Sequence, residues 1–129
     1  MKRSLQLNPD NRPATWAQVR DWRDTHEVAP VETSQGTFDC DDRSDKRLYE
    51  QLGMFDYLDT LNPDGTLSWK RADNTWVALS KQQLADLYQE IRINRAKRAG
   101  VLHVKAAEFE ALEVKPLVKE LQVLNFWLK

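Results

Sequence analysis

The chain is poor in the residues on which most protein chemistry depends. Its one cysteine, Cys40, excludes an internal disulfide and a cysteine-based zinc site. A lone cysteine of this kind reads as a small core-facing side chain. The histidines His26 and His103 have no second candidate ligand at metal spacing. Glycines stand singly at positions 36, 53, 65 and 100, so no glycine-rich phosphate loop is present. No serine or cysteine stands in a nucleophile-elbow context. Nor is there an excess of one charge: 19 Lys and Arg against 20 Asp and Glu leave a net charge of −1. That balance predicts no general affinity for nucleic acid or for an anionic membrane. The start is basic, at Lys2 and Arg3, but no apolar run follows that would suit a signal peptide or a membrane span. The expectation is a non-enzymatic protein with no metal and no cofactor, made in the cytoplasm.

What the chain does have is tryptophan. Five occur among 129 residues, and 41% hydrophobic with 30% charged residues is enough for one modest folded core. The predicted class is α+β: two β-hairpins each followed by a helix, then a long C-terminal helical extension. The predicted organisation is an extended arm over 1–13, a small α+β domain over 14–100, and a helical extension over 101–129. Trp16, Trp22, Phe38, Trp69 and Trp76 are the expected structural core.

Thr15 and Gln18 form a capping box ahead of a short helix whose apolar face is Trp16, Val19 and Trp22. Ser34-Gln35-Gly36 reads as a turn, and Thr37 to Cys40 as the second strand of a first hairpin. Asp41, Asp42 and Asp45 then suit a helix N-terminus, where carboxylates cap bare amides and favour the dipole. Asp39, Asp41 and Glu50 also have part of a calcium-loop spacing, but Ser44 stands where that loop requires glycine. The helix is expected from about Asp42 to Leu61, with Leu48, Leu52, Phe55 and Leu58 on one stripe and Gly53 inside it. Asn62-Pro63-Asp64-Gly65 is a turn signal.

Leu67 and Trp69 alternate with Ser68 and Lys70, a period-two strand pattern, and Thr75 to Leu79 is its partner. Asp73-Asn74 suits the turn between them. A loop of two or of four residues sets Leu67, Trp69 and Trp76 on one face, an aromatic cross-strand cluster. The alternative, an aromatic ligand platform as in nucleic-acid or sugar binders, is the lesser reading, because paired tryptophans on a small sheet usually anchor its core. Ser80 and Gln83 form a second capping box and open a long helical pattern through Leu84, Tyr88, Ile91, Leu102, Ala106 and Phe109. A helix reaching Leu112 is about 50 Å long at 1.5 Å per residue. Its distal half is expected against another chain. Arg92, Arg95, Lys97, Arg98 and Lys105 form a basic run that suits a solvated face or an acidic surface such as that around Asp41 and Asp42. Pro116 opens an apolar tail that either folds back or carries a partner interface. The candidate interface residues are Leu102, Phe109, Leu117, Leu121, Leu124, Phe126 and Trp127.

The run from about Val19 to Leu102 resembles a domain of unknown function found in tail-fibre and tail-associated proteins of tailed bacteriophages and prophages. Arg20 and Arg23, then Gly36 to Ser44 with Arg47 and Leu48, and above all Leu67 to Ser80 with Leu84, carry the resemblance. It implies a non-enzymatic structural component of a phage tail, at the fibre or the baseplate. Its partners would be other tail proteins, in a homo-oligomer or hetero-complex, with neither nucleic acid nor membrane bound. The alternative is a tail-fibre assembly chaperone that binds the fibre protein transiently. Either way the chain would be synthesised in the host cytoplasm, and the structural reading places it in the virion tail.

Overall fold

From its N-terminal side the computed structural model runs α1 (Trp16–Glu27), β1 (Val31–Thr33), β2 (Gly36–Phe38), α2 (Asp42–Gly53), a 3-10 turn (Phe55–Tyr57), β3 (Leu67–Lys70), β4 (Trp76–Leu79), α3 (Lys81–Ala111), α4 (Val118–Leu121) and α5 (Leu124–Trp127). Residues 11–129 are described; residues 1–10, most of the expected N-terminal arm, lie outside them. The α+β class is as read from the sequence. Two compact units are present: Val28–Lys97, and the described residues through Glu27 together with Arg98–Lys129. The expected boundary at residue 100 puts α1 and the tail in different domains, whereas the contacts place them in one unit.

Both capping boxes form. Gln18 N donates to Thr15 Oγ1 at 3.2 Å while Thr15 N donates to Gln18 Oε1 at 2.9 Å. At α3, Gln83 N donates to Ser80 Oγ at 3.1 Å and Ser80 N to Gln83 Oε1 at 2.8 Å. Each box satisfies two amides that a helix start would otherwise leave bare. Asp41 caps α2 through Ser44 N. That helix stops earlier than expected, at Gly53. Met54 leaves the helix at φ −105° and ψ 10°, and the following 3-10 turn buries Phe55. Gly53 is thus near the end of the helix rather than inside it, as its weak helix propensity favours.

The Val28–Lys97 unit is built on two antiparallel hairpins, β1–β2 and β3–β4. Its core gathers Val31, Phe38, Cys40, Leu48, Phe55, Leu67, Leu79, Leu84, Leu87 and Ile91, with Trp69 and Val77 packed against it. The β3–β4 register opposes Leu67 to Leu79, Trp69 to Val77 and Lys70 to Trp76. This corrects the expected face of Trp76. Arg71 N donates to Thr75 O at 2.7 Å and Asn74 N to Arg71 O at 3.0 Å, so the loop proper is Ala72-Asp73-Asn74. Asn74 takes a left-handed φ of 71°. A loop of three residues, unlike one of two or four, shifts the register by one, and a shift of one turns a side chain to the other face. Leu79 and Val77 therefore join Leu67 and Trp69, and Trp76 faces out, 62% exposed.

The preceding turn repeats this loop. Asn62 N donates to Thr66 O at 2.7 Å, Gly65 N donates to Asn62 O at 2.9 Å, and Gly65 has φ 83°. In each copy an aspartate two residues before a threonine accepts from its N at 3.0 Å and its Oγ1 at 2.6 Å: Asp64 with Thr66, Asp73 with Thr75. These hydrogen bonds, the side-chain one foremost, hold both carboxyls below the ordinary carboxylate range.

The second unit buries Ala14, Val19, Leu102, Ala106, Phe109, Val118, Leu121 and Trp127, with Trp16, Trp22, Leu124 and Phe126 packed against them. Pro13 bridges to Leu117; Ala14 N donates to Pro116 O at 2.8 Å and Val118 N to Arg12 O at 3.0 Å. The distal half of α3 thus packs Leu102, Ala106 and Phe109 on α1 and the tail of its own chain, where a contact with another chain was expected. The tail folds back as two single-turn helices, α4 and α5. Helix α3 is continuous across Gly100.

Candidate binding cleft

Arg71 ties the two hairpins together. Its Nε donates to Gln35 O at 2.6 Å, and one terminal nitrogen donates to Thr75 Oγ1 at 3.2 Å and Trp76 O at 3.0 Å. Ala72 N adds a bond to Thr37 O at 2.9 Å. The guanidinium can come this close because Gly36 stands beneath it. Gly36 has φ 114°, and a Cβ there would lie 2.7 Å from Arg71 Nε and 2.8 Å from its Cδ. Both the backbone conformation and the space exclude a side chain.

The segment after β2 is fixed from below by α3. Arg95 donates to Cys40 O at 2.7 Å and to Asp42 Oδ1 at 3.2 Å. Asn94 Nδ2 holds Glu32 O at 2.9 Å, and Glu90 accepts from Ser34 N and Oγ. The basic run is in part answered by the acidic surface around Asp42, the pairing expected as the alternative to a solvated face. Ser44 N donates to Asp41 Oδ1 at 3.3 Å; hydrogen bonding from Ser44 is the main reason the Asp41 carboxyl titrates below its ordinary value.

These constraints open a cleft of about 400 Å³ between β2 with the first turns of α2 on one side and the β3–β4 hairpin on the other. Buried Phe38 and Leu48 form its base, and Trp69 and Trp76 line it. Arg47, Lys70 and Arg71 bring positive charge and Asp39 brings negative charge; Ser44, Ser68 and Asn74 supply neutral polar groups. All of these lie within Gly36–Leu48 or Leu67–Ser80, the stretches that carry the family resemblance. No single stretch suggests a cleft, because each contributes one wall.

Of the five expected core residues, Phe38 is fully buried, Trp16, Trp22 and Trp69 are half-buried against the two cores, and Trp76 is exposed. Of the expected interface residues, Leu102, Phe109, Leu121 and Trp127 are buried in their own chain, and Leu117, Leu124 and Phe126 are half-buried. Phe109 contacts both Phe126 and Trp127, with ring centroids 5.5 and 5.1 Å away. The apolar side chains left in solvent on this segment are Val101, Val104, Leu112, Val114, Val123 and Leu128. Asp39, Asp41 and Glu50 assemble no metal site; among the described residues no group of metal-ligating side chains occurs.

Residues 10–115 match the family described as a domain of unknown function, DUF4376. The chain belongs to the DUF4376 family. The match takes in both hairpins, the cleft and all of α3, while α4 and α5, which complete the second core, fall beyond it. No curated protein and no solved structure matches the chain. No helix among the described residues of this DUF4376 protein is long and apolar enough to cross a membrane.

Proposed function

We propose that this DUF4376 protein is a non-enzymatic structural component of a bacteriophage tail, at the fibre or the baseplate, joining neighbouring subunits. The observation that carries the reading is the resemblance of Gly36–Leu48 and Leu67–Ser80 to domains of tail-fibre and tail-associated proteins. Those stretches build one continuous part of the Val28–Lys97 unit. Attachment runs through the C-terminal helices, by a route that the burial of Trp127 and Leu121 redefines. The side chains available to a partner are Val104, Leu112, Val114 and Val123, each about half exposed or more. Apolar side chains grouped on one exposed segment suit a contact with another tail subunit, either a second copy or a different protein.

The test is quantitative mass spectrometry of purified virions. The expected result is this chain in a fixed ratio to a known tail protein. Absence from particles that need the gene in order to carry fibres would make the protein an assembly chaperone. Absence with no assembly defect would overturn the tail assignment altogether.

A further inference from the structure

Trp76 is the large aromatic of the Val28–Lys97 unit that gives its ring to solvent beside a cleft. The three-residue loop turns it there, opposite Lys70 and away from the core. An indole left 62% exposed forgoes burial that Val77 and Leu79 obtain on the other face. The cleft it borders, about 400 Å³, falls in the range of small-ligand sites.

The charges beside it are unanswered. The Arg47 and Lys70 side chains make no ion pair or hydrogen bond among the described residues, and neither does the Asp39 carboxylate. With Arg71, the lining carries three cations to one anion, in a chain whose net charge is −1. Ser68 Oγ accepts from Asn62 Nδ2 at 3.1 Å, which leaves its proton free to donate.

A ligand that answers all of these groups needs a negative charge, hydroxyls and an apolar face. We propose that the cleft binds a carboxylate-bearing saccharide. The C–H face of a pyranose ring stacks on the Trp76 indole, whose negative π-face suits polarised C–H bonds. The sugar carboxylate lies between Arg47 and Lys70, a charge-assisted pairing. Ring hydroxyls donate to Asp39 and accept from Ser68. A phosphodiester would satisfy the cations but meet Asp39 as a like charge, with no proton to offer it. A neutral sugar would leave Arg47 and Lys70 without a counter-charge. The assignment concerns the isolated chain and stands apart from its place in a tail.

The experiment is titration of the purified full chain, followed by tryptophan fluorescence and calorimetry. The acidic probes are trigalacturonate, a hyaluronan tetrasaccharide and 3′-sialyllactose; the neutral probes are cellotriose and lactose. A hexaglutamate peptide and a short oligothymidylate complete the set. The expected result is saturable binding of at least one acidic saccharide, weakened by added salt, with the neutral sugars at least about tenfold weaker. Trp76→Ala and, separately, Arg47→Ala should each weaken that binding by about tenfold or more. Both side chains are exposed, so the circular dichroism spectrum and melting temperature of each variant should match those of the parent. No binding of any acidic saccharide at millimolar concentration would overturn the proposal, as would tighter binding of the peptide or the oligothymidylate. Binding that survives both substitutions would also overturn it, by moving the site elsewhere.

Discussion

His26 and Trp127 end on the same atom. His26 Nε2 lies 2.6 Å from Leu121 O, and Trp127 Nε1 donates to that oxygen at 2.8 Å. Because a carbonyl only accepts, the imidazole must carry its proton on Nε2. The two rings also meet edge to face with centroids 5.8 Å apart. One carbonyl thereby fastens the end of α5 to the last turn of α1, and the indole that looks like a partner's handhold is engaged at home.

Replacing that indole should therefore damage the monomer. Trp127→Ala removes a fully buried side chain and is expected to cost about 3–5 kcal/mol of stability. Trp127→Phe keeps most of the packing and gives up one hydrogen bond, a loss of about 1 kcal/mol from that bond. Urea denaturation of the isolated chain, followed by near-ultraviolet circular dichroism, measures both. A Trp127→Ala monomer as stable as the parent would contradict the packing described.

Asn74 sits in the left-handed region at φ 71°. Asn74→Gly should leave stability unchanged or slightly raised, whereas Asn74→Val should lower it by about 1–2 kcal/mol. The loop sets the register, so the valine variant should also alter the fluorescence of Trp76. Thermal melts and emission spectra of the two variants check this together.

The turn before β3 and the β3–β4 loop should loosen in acid. The Asp64 and Asp73 carboxyls titrate below their ordinary value of 3.8, because the ionised forms accept from Thr66 and Thr75. A folded-state value below the unfolded one adds stability above about pH 3.8 that is lost as pH falls through the folded value. Carboxyl NMR titration should give midpoints below 3.8 for both. Amide protection factors at Thr66 and Thr75 should fall over the same interval, and Asp73→Ala should remove that response at Thr75 alone.

Gly100 lies inside α3, and a Cβ placed there meets nothing within 4 Å. Gly100→Ala should raise stability by about 1 kcal/mol, the ordinary helix-interior difference. A calorimetric melt reads the gain directly.

The sequence disclosed what is local. Both capping boxes could be read because donor and acceptor lie three residues apart, and the hairpins because alternation and turn residues adjoin. The face of Trp76 could not be read. Asp73-Asn74 suits loops of several lengths, and only the pairing of Arg71 with Thr75 selects the odd one. The stop of α2 was hidden because Phe55 and Leu58 continue a helical spacing even though Phe55 is buried from a 3-10 turn. Periodicity marked Leu102, Phe109 and Leu121 as covered side chains without saying what covers them. The cleft escaped because Arg47 and Trp76 come from separate stretches, and a side chain facing a cavity has no periodicity of its own.

The pairing of residues 12–14 with 116–118 also bears on the order in which the chain can fold. The Val28–Lys97 unit contains every residue of its own core and can form as soon as Lys97 has been made. Helix α1 is synthesised before it, and the core it joins is complete only once Trp127 has been made. Closing that long loop costs little more entropy than closing a short one, but it comes late. On a ribosome α1 thus waits for residues made after the whole Val28–Lys97 unit, and until Leu102 and Phe109 arrive Trp16, Trp22 and Val19 travel uncovered.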